Sequence, residues 1–121
     1  PAPKKLGYPR SRRLTRESDL EQVKKAGRRL RTEHLEVRAS DSLLSHTRAA
    51  VIVGKHGHTI VERNRLRRRL RELVRVKILS ALEATDLVVR ALPSAYERSF
   101  ADLSKEIDEI VGRLPHRSAA T

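Results

Sequence analysis

One segment of this 121-residue chain constrains its fold more than any other, because it combines an arginine repeat with helical apolar spacing. Positions 63–75 hold seven arginines in thirteen positions. At about 100° per residue, apolar groups fall on one side of a helix: Leu66, Leu70, Leu73, Val74 and the stem of Lys77. The opposite side is polar: Asn64, Arg68, Arg71 and Arg75. The pattern predicts an amphipathic helix that continues to about Leu82, with a buried stripe and an exposed basic ridge.

The basic ridge and the overall charge both indicate a polyanionic partner. The chain has 27 Lys and Arg residues against 15 Asp and Glu, which gives a formal net charge of +12. Arginine presents a planar fork of donors that fits phosphate oxygens bidentately, so a row of arginines suits a nucleic-acid backbone. The alternative is a solvated helix face, but such faces mix charge signs, and here only Glu62 and Glu72 oppose the seven arginines.

Composition excludes several classes of protein. Without cysteine, neither a disulfide framework nor a thiolate metal site is possible, and a reducing cytoplasm is the expected location. No apolar run approaches the roughly 20 residues that span a bilayer, and the first residues lack the apolar centre of a secretory signal. At this length we expect one compact domain at 14–114, preceded by a flexible basic arm at 1–13 and followed by a polar tail at 115–121.

The first predicted helix begins at a capping box and ends at a glycine. Ser18 and Glu21 have the spacing of the box, with Thr15 as a competing cap. Gly27 is the residue best able to end the helix in a left-handed conformation. Beyond it, Leu30 to Ala39 alternates as a strand does. Its apolar face holds Leu35, Val37 and Ala39, and its polar face holds His34, Glu36 and Arg38.

The remaining pattern predicts a β-α-β unit and a last helix. Asp41 to His46 indicates a turn, and Ala49 to Val53, within Arg48–Lys55, is apolar and β-branched enough for a central strand. Asp86 to Leu92 indicates a second buried strand, ended by Pro93. Ser99 is the expected cap of a helix with apolar residues at helical spacing: Phe100, Leu103, Ile107, Ile110, Val111 and Leu114. The whole predicts a two-layer α+β domain of order α-β-β-β-α-β-α, with two or three strands before the arginine helix.

Taken together, Arg48–Lys55, the short loop and Arg63–Glu72 resemble the signature of the bacterial ribonuclease P protein subunit. The resemblance implies a small basic protein that joins a large catalytic RNA and removes 5′ leaders from precursor tRNA. The RNA carries out the chemistry, with Mg²⁺ held mainly by the RNA and the substrate. The implied fold is that of the second domain of ribosomal protein S5, with a left-handed β-α-β crossover against the general right-handed rule.

The resemblance also implies where the two RNAs bind. The catalytic RNA would contact Lys55, Arg63, Asn64, Arg65, Arg68 and Arg71, and the same helix adds Arg67 and Arg75. A cleft between the first helix and the exposed sheet face would guide the single-stranded leader, at Leu20, Lys24, Glu36 and Arg38. Many relatives have aromatic or apolar side chains at several of these cleft positions. Here the aromatic residues are only Tyr8, Tyr96 and Phe100, so leader contact is expected to depend on Lys24, Arg38 and the phosphate backbone.

Other chemistries remain open from the residues alone. His56 and His58 could act as general base and general acid of a protein ribonuclease, although no orienting carboxylate is identifiable nearby. The same pair could bind a metal, but few further ligands exist. This loop also departs from the family's Lys-x-Gly-Asn pattern by one position. The remaining alternative is a ribosomal or other structured-RNA-binding protein with no role in catalysis. No catalytic residue, tightly held metal, membrane contact or small-molecule substrate is expected.

Overall fold

The computed structural model of the chain describes residues 10–42, 46–79, 81–82 and 84–114. The described residues form three α-helices and four strands in the predicted order. These are α1 (Glu17–Ala26), β1 (Arg28–Arg31), β2 (Leu35–Asp41), β3 (Arg48–Val53), α2 (Ile60–Leu73), β4 (Thr85–Ala91) and α3 (Phe100–Arg113). Short 3-10 helices occupy Arg10–Arg12 and Pro93–Glu97, and a π-helical turn at Val74–Ile78 extends α2. The predicted α+β class is confirmed.

The four strands form one mixed sheet in the order β1-β2-β4-β3. β2 pairs antiparallel with β1 and β4, whereas β3 pairs parallel with β4, as the predicted β-α-β unit requires. The prediction of a central strand at Ala49–Val53 was wrong, because β3 lies at the edge of the sheet. Its apolar sequence reflects cover on both faces, and Arg13 makes a parallel bridge with Ala49 on its outer side. The handedness of the crossover stays a prediction.

The main core lies between the sheet and the pair α2 and α3. The alternation predicted for β2 is confirmed, since Leu35, Val37 and Ala39 are buried. They pack with Leu87 and Val89 of β4 and with the predicted stripe of α2, namely Leu66, Leu70 and Leu73. α3 adds Leu103, Ile107 and Ile110. Phe100, which has the same helical spacing, lies in the first turn of α3 and is 44% exposed.

A second, smaller apolar cluster lies on the opposite face of the sheet, under α1. Its buried members are Leu14, Val23 and Val88, with Leu20 and Ile52 packed against them. α1 therefore covers part of this second face of the sheet. The part that α1 leaves uncovered carries the polar side chains of β2.

Both ends of α1 differ from their predicted form. The helix begins at Glu17, one residue before Ser18, so the predicted capping box does not form and Arg16 is the N-cap residue without a side-chain cap. Gly27 does end the helix, but with φ −77° and ψ 150° it is extended rather than left-handed. A glycine is needed there because a Cβ would lie 2.3 Å from the carbonyl oxygen of Val23 and 3.1 Å from that of Ala39.

The basic arm is shorter than predicted. Arg12 donates from Nε to the carbonyl of Thr47 (2.8 Å) and from Nη2 to that of Leu79 (2.7 Å), so Arg10–Arg13 fold onto the domain. Residues 1–9, the middle of the predicted turn at 43–45, and the predicted tail at 115–121 lie outside the described residues. The helical run of α2 ends at Ile78, about four residues earlier than predicted. In the part of the chain that is described, no helix combines the length and apolarity needed to cross a membrane.

Candidate nucleic-acid interface

The arginine helix starts at a complete capping box. The hydroxyl of Thr59 accepts from the backbone N–H of Glu62 (3.1 Å), and the Glu62 carboxylate accepts from the backbone N–H of Thr59 (2.8 Å). This bond to Thr59, followed by that to His58, lowers the pKa of Glu62. Two of the unpaired donors at the start of α2 are thereby satisfied, which fixes the register of every arginine that follows.

The connection from β3 to α2 is a tight turn from Lys55 to His58. The N–H of His58 donates to the carbonyl of Lys55 at 2.7 Å, and the two central residues have positive φ, 45° at His56 and 83° at Gly57. Positive φ at both central positions is the mark of a type I′ turn, which explains the glycine at 57. The imidazole of His56 lies over Gly54, where a Cβ would come within 2.8 Å of Nε2. Lys55 is exposed at the start of this turn.

The polar side of α2 faces a shallow groove, which we term the basic groove. It is lined by Arg13, Asn64, Arg67, Arg68, Arg71, Glu72 and Arg75. Five of the eight RNA-contact residues predicted from the sequence thus lie together. The fifth cation of the groove, Arg13, was not predicted, because it falls in the segment that was expected to be a flexible arm. The bridge to Ala49 brings Arg13 back to the helix, and only the pairing of the strand edge could have shown this.

Most of the charge in the basic groove is available to a ligand. Arg68 and Arg71 are exposed, and no carboxylate in the described ranges pairs with either. Arg67 donates to Oδ1 of Asn64 at 2.8 Å, which orients it without neutralising it. Arg75 differs, because it is paired with Glu72, and its hydrogen bond lowers the pKa of Glu72. The groove therefore retains a net positive charge.

The predicted ridge of Asn64, Arg68, Arg71 and Arg75 lies in the basic groove, whereas two further arginines of α2 line a second pocket. Arg65 and Arg69 lie on the other flank of α2, in a pocket shared with His58, Glu62, Leu66 and Tyr96. Arg63 lies closest to the buried stripe, and its Nε is buried without a hydrogen-bond partner in the described structure. The helical spacing accounts for this pocket, because Arg65 and Arg69 are four positions apart and share a face with Leu66. Arg63 is thus half-buried, whereas Arg65 is exposed.

A second concavity, the sheet cleft, lies beside α1 on the uncovered face of the sheet. It is lined by Lys24, Glu36, Arg38, Ile52, Val88 and Arg90. Three of the four predicted leader-cleft residues thus come together. Leu20 does not line the cleft, because it packs on the cluster of Leu14, Val23 and Val88 beneath it. Val88 and Arg90 could have been found from the alternation of β4, whose Leu87, Val89 and Ala91 face the core.

The sheet cleft is positively charged in spite of Glu36. That carboxylate bonds to Arg29 (Nε to Oε2, 2.9 Å) and lies 3.9 Å from Nη1 of Arg90. Arg38 donates from Nη1 to the carbonyl of Lys24 at 2.9 Å, so it also holds the last turn of α1. Lys24 itself is exposed. The four cations around one acid suit a phosphate chain, and the lining contains no aromatic side chain on which a base could stack.

The structure gives little support to His56 and His58 as a protein ribonuclease or as a metal site. A carboxylate does lie beside His58, since Nδ1 is 3.2 Å from Oε1 of Glu62, and this corrects the expectation that none was near. The ring of His58, however, is stacked on Tyr96, while that of His56 lies over Gly54. Within the described ranges no three or more His, Cys, Asp or Glu residues are grouped so that they could hold a metal ion.

Comparison with known proteins gives one family. The family model described as Ribonuclease P matches residues 8–115. The ribonuclease P protein component of Acidothermus cellulolyticus is 39% identical over 104 residues, which cover 84% of this chain and 87% of that protein. The corresponding protein of Syntrophobacter fumaroxidans is 38% identical over 96 residues, which cover 78% and 81%.

Solved structures with the same fold come from the same family. The ribonuclease P protein of Staphylococcus aureus superimposes with a TM-score of 0.76 at 20% identity and covers 84% of this chain and 94% of that one. The protein of Thermotoga maritima, solved in complex with 1-(4-fluorophenyl)-2-thiourea, gives 0.76 at 23% identity and covers 84% and 99%. At these identities the match establishes the fold.

Proposed function

The chain belongs to the ribonuclease P protein family, the protein subunit in 5′ maturation of tRNA, and we propose how its two basic surfaces divide that work. The basic groove binds the catalytic RNA, and the sheet cleft receives the 5′ leader of precursor tRNA. In this assignment the RNA carries out the hydrolysis. The complex works in the bacterial cytoplasm, and the protein has no membrane or small-molecule partner.

The observation that carries the proposal is the accessibility of Arg68 and Arg71 on a helix whose orientation is fixed. Leu66, Leu70 and Leu73 anchor one side of α2 in the core, and the Thr59–Glu62 box fixes its start. On the opposite side, the guanidinium groups of Arg68 and Arg71 have no carboxylate partner among the described residues. Such preorganised cations bind a folded RNA backbone without a further cost in ordering the helix.

The sheet cleft supports leader binding through its charge and its shape. A single-stranded leader presents one phosphate for each nucleotide, and Lys24, Arg38 and Arg90 are the cations that line this cleft. Ile52 and Val88 form an apolar floor against which ribose and base edges can pack. Because stacking is absent here, leader recognition is expected to depend little on base sequence.

Magnesium is assigned to the RNA and the precursor tRNA. The protein's role toward Mg²⁺ is indirect, because its cations screen the repulsion between two polyanions. Less Mg²⁺ should then be needed to hold the RNA and its substrate together. The carboxylates of α2 support this assignment. Glu62 and Glu72 each already accept hydrogen bonds from neighbouring residues of the helix and its cap.

The test is reconstitution of cleavage. The protein is mixed with a bacterial ribonuclease P RNA and a leader-bearing tRNA precursor at near-physiological Mg²⁺, where the RNA alone is slow. Rescue of RNA-dependent cleavage is expected. Cleavage by the protein without RNA would instead support the histidine ribonuclease. Binding without rescue would support a structured-RNA-binding protein of another kind.

Matched variants test whether the basic groove is responsible for the rescue of cleavage. The double variant Arg68→Ala with Arg71→Ala should lose rescue at low protein concentration and regain it when the concentration is raised, because assembly is weakened. Arg113→Ala serves as the control, since it removes one arginine from the last turn of α3, where it pairs with Glu109 outside both surfaces. An equal defect in the control would remove the groove from the proposal.

A further inference from the structure

His58 and Tyr96 form a stacked pair of rings. Their centroids are 3.7 Å apart, and their planes are inclined by 8°. Each ring is also fixed at its edge: the Tyr96 hydroxyl donates to the carbonyl of Gly54 at 2.6 Å, and Nδ1 of His58 lies 3.2 Å from Oε1 of Glu62. The stack joins the β3–α2 turn to the 3-10 helix that follows β4, so both rings are held in one orientation.

The pocket beside this stack, which we term the ring pocket, has a composition unlike that of the basic groove. It is lined by His58, Glu62, Arg65, Leu66, Arg69 and Tyr96. Its four helical residues follow one another at spacings of three, one and three positions, so they share one face of α2. That face places an apolar side chain and two cations next to a pair of flat rings.

Packing of the turn does not account for the two arginines. Arg65 is exposed and Arg69 half-buried, and neither has a hydrogen bond or an ion pair to a carboxylate in the described part of the chain. Like charges four positions apart on a helix repel each other. Glu62, the acid among the lining residues, is already bonded to Thr59 and His58. The pocket keeps a net positive charge beside its rings, which suits an anion that carries a flat group.

We propose that the ring pocket binds one unpaired nucleotide of RNA, with its base against the His58–Tyr96 stack and its phosphate on Arg65 and Arg69. The inference rests on the proposed function, because the ribonucleoprotein supplies the RNA. Every base has a π-face, so stacking on such rings tolerates any sequence, and an arginine fork fits phosphate oxygens. The pocket provides the stacking surface that the sheet cleft lacks, on the flank of α2 opposite the basic groove.

Tyrosine fluorescence tests this directly. The chain has two tyrosines and no tryptophan, so a Tyr8→Phe variant emits from Tyr96 alone. This full-length variant is titrated with a single-stranded adenosine hexanucleotide and, separately, with an abasic hexamer that has the same phosphates. The adenosine hexamer is expected to quench Tyr96 emission, and the abasic hexamer is expected to bind without quenching. Equal quenching by both, or quenching by neither, overturns the inference.

A second variant separates base contact from charge. In the same background His58→Ala should weaken binding of the adenosine hexamer, measured by Tyr96 quenching, about fivefold or more, as loss of part of a base stack requires. Binding of the abasic hexamer, followed by filter binding because it does not quench, should not change, and His58→Phe, which restores a ring without adding a second tyrosine, should recover the loss. A loss of equal size for both hexamers would show that the base does not contact the stack. Circular dichroism establishes that each variant keeps its fold.

The outcome of the Tyr96 fluorescence test can be distinguished from that of the reconstitution test. If the wild-type protein rescues RNA-dependent cleavage but its Tyr96 emission is not quenched, the ring pocket is overturned and the proposed function stands. If quenching occurs without rescue, the pocket is supported as a nucleotide site, and it is the assignment of the two basic surfaces to ribonuclease P RNA and leader that fails.

Discussion

Arg48 and Asp86 face each other across the parallel β3–β4 pair and are joined by two hydrogen bonds, Nε to Oδ1 at 3.0 Å and Nη2 to Oδ2 at 2.8 Å. Nη1 of the same arginine also reaches Asp19 of α1 at 3.2 Å. The bond to Asp86 raises the pKa of Arg48 above its ordinary value, against the opposing effect of burial. This arginine therefore fastens α1 to the sheet edge and is not a free cation for RNA.

Removal of Asp86 should destabilise the fold. Asp86→Ala leaves the guanidinium of Arg48 largely buried with a single partner, and we expect a loss of about 2–4 kcal/mol in the free energy of unfolding. Urea unfolding followed by circular dichroism measures it. Glu109→Ala, which breaks the exposed pair with Arg113, should cost less than about 1 kcal/mol. Equal losses in the two variants would mean that the Arg48–Asp86 pair has no special structural role.

The capping carboxylate of α2 should give a pH-dependent contribution to stability. Because the folded-state pKa of Glu62 is lowered from its ordinary value of 4.5, its contribution is fully present above that value and is lost as the pH falls through the folded pKa. Glu62→Gln should therefore have a lower Tm than wild type at neutral pH, with a difference that shrinks in acid. Melting curves between about pH 7 and pH 3 measure this. A difference independent of pH would contradict the capping role.

The hydroxyl of the same box can be tested separately. Thr59→Ala removes the acceptor for the Glu62 backbone N–H and should cost about 1 kcal/mol in the free energy of unfolding. Thr59→Ser keeps the hydroxyl and should recover most of that loss. Urea unfolding again gives the values, and a serine variant as unstable as the alanine variant would rule out the cap as the cause.

Arg13 should contribute to RNA binding although it lies outside the arginine helix. Arg13→Ala keeps the backbone bridge to Ala49 but removes a guanidinium from the basic groove. We expect weaker binding to the catalytic RNA and a slope of log K against log salt that is reduced by about one, as for one lost phosphate contact. Filter binding at several salt concentrations measures the slope. A slope equal to that of the Arg113→Ala control would show that Arg13 contacts no phosphate.

Lys24 should affect the leader more than the body of the tRNA. Lys24→Ala removes an exposed cation from the sheet cleft, so affinity for leader-bearing precursor should fall while that for mature tRNA does not. The slope of log K against log salt should be reduced by about 0.7 for the precursor and should not change for mature tRNA. Lys24 is a cleaner probe than Arg38, whose guanidinium also holds the end of α1. Equal effects on precursor and mature tRNA would remove the cleft assignment.

Local patterns were sufficient to predict most of the elements. The period of the leucines in α2, the alternation in β2 and the Ser99 cap of α3 each reflect forces within one segment, and the structure has all three. Details that depend on distant residues were missed. Glu106 is an example: it lies on the buried face of α3, where it accepts from the Thr32 hydroxyl (2.5 Å) and the His34 backbone N–H (2.8 Å).

The candidate surfaces were predictable to a similar extent. The helical angles that follow from the sequence place Arg68 and Arg71 away from the core. The local pattern does not show that Arg13 joins the basic groove, because this position depends on the bridge between Arg13 and Ala49 at the edge of β3. Nor does local pattern bring Tyr96 to His58, since the two rings are 38 positions apart and meet only through the sheet.

The salt dependence of binding to ribonuclease P RNA tests the central claim most directly, which is that arginines anchored on α2 hold the RNA through its phosphates. If about six phosphates are contacted, affinity should fall roughly a thousandfold between 50 and 200 mM salt. The affinity of the Arg68→Ala, Arg71→Ala double variant should fall less steeply with salt, and that of Arg113→Ala should match wild type. A nearly flat response in the wild-type protein, or the same slope in the double variant, would contradict the account.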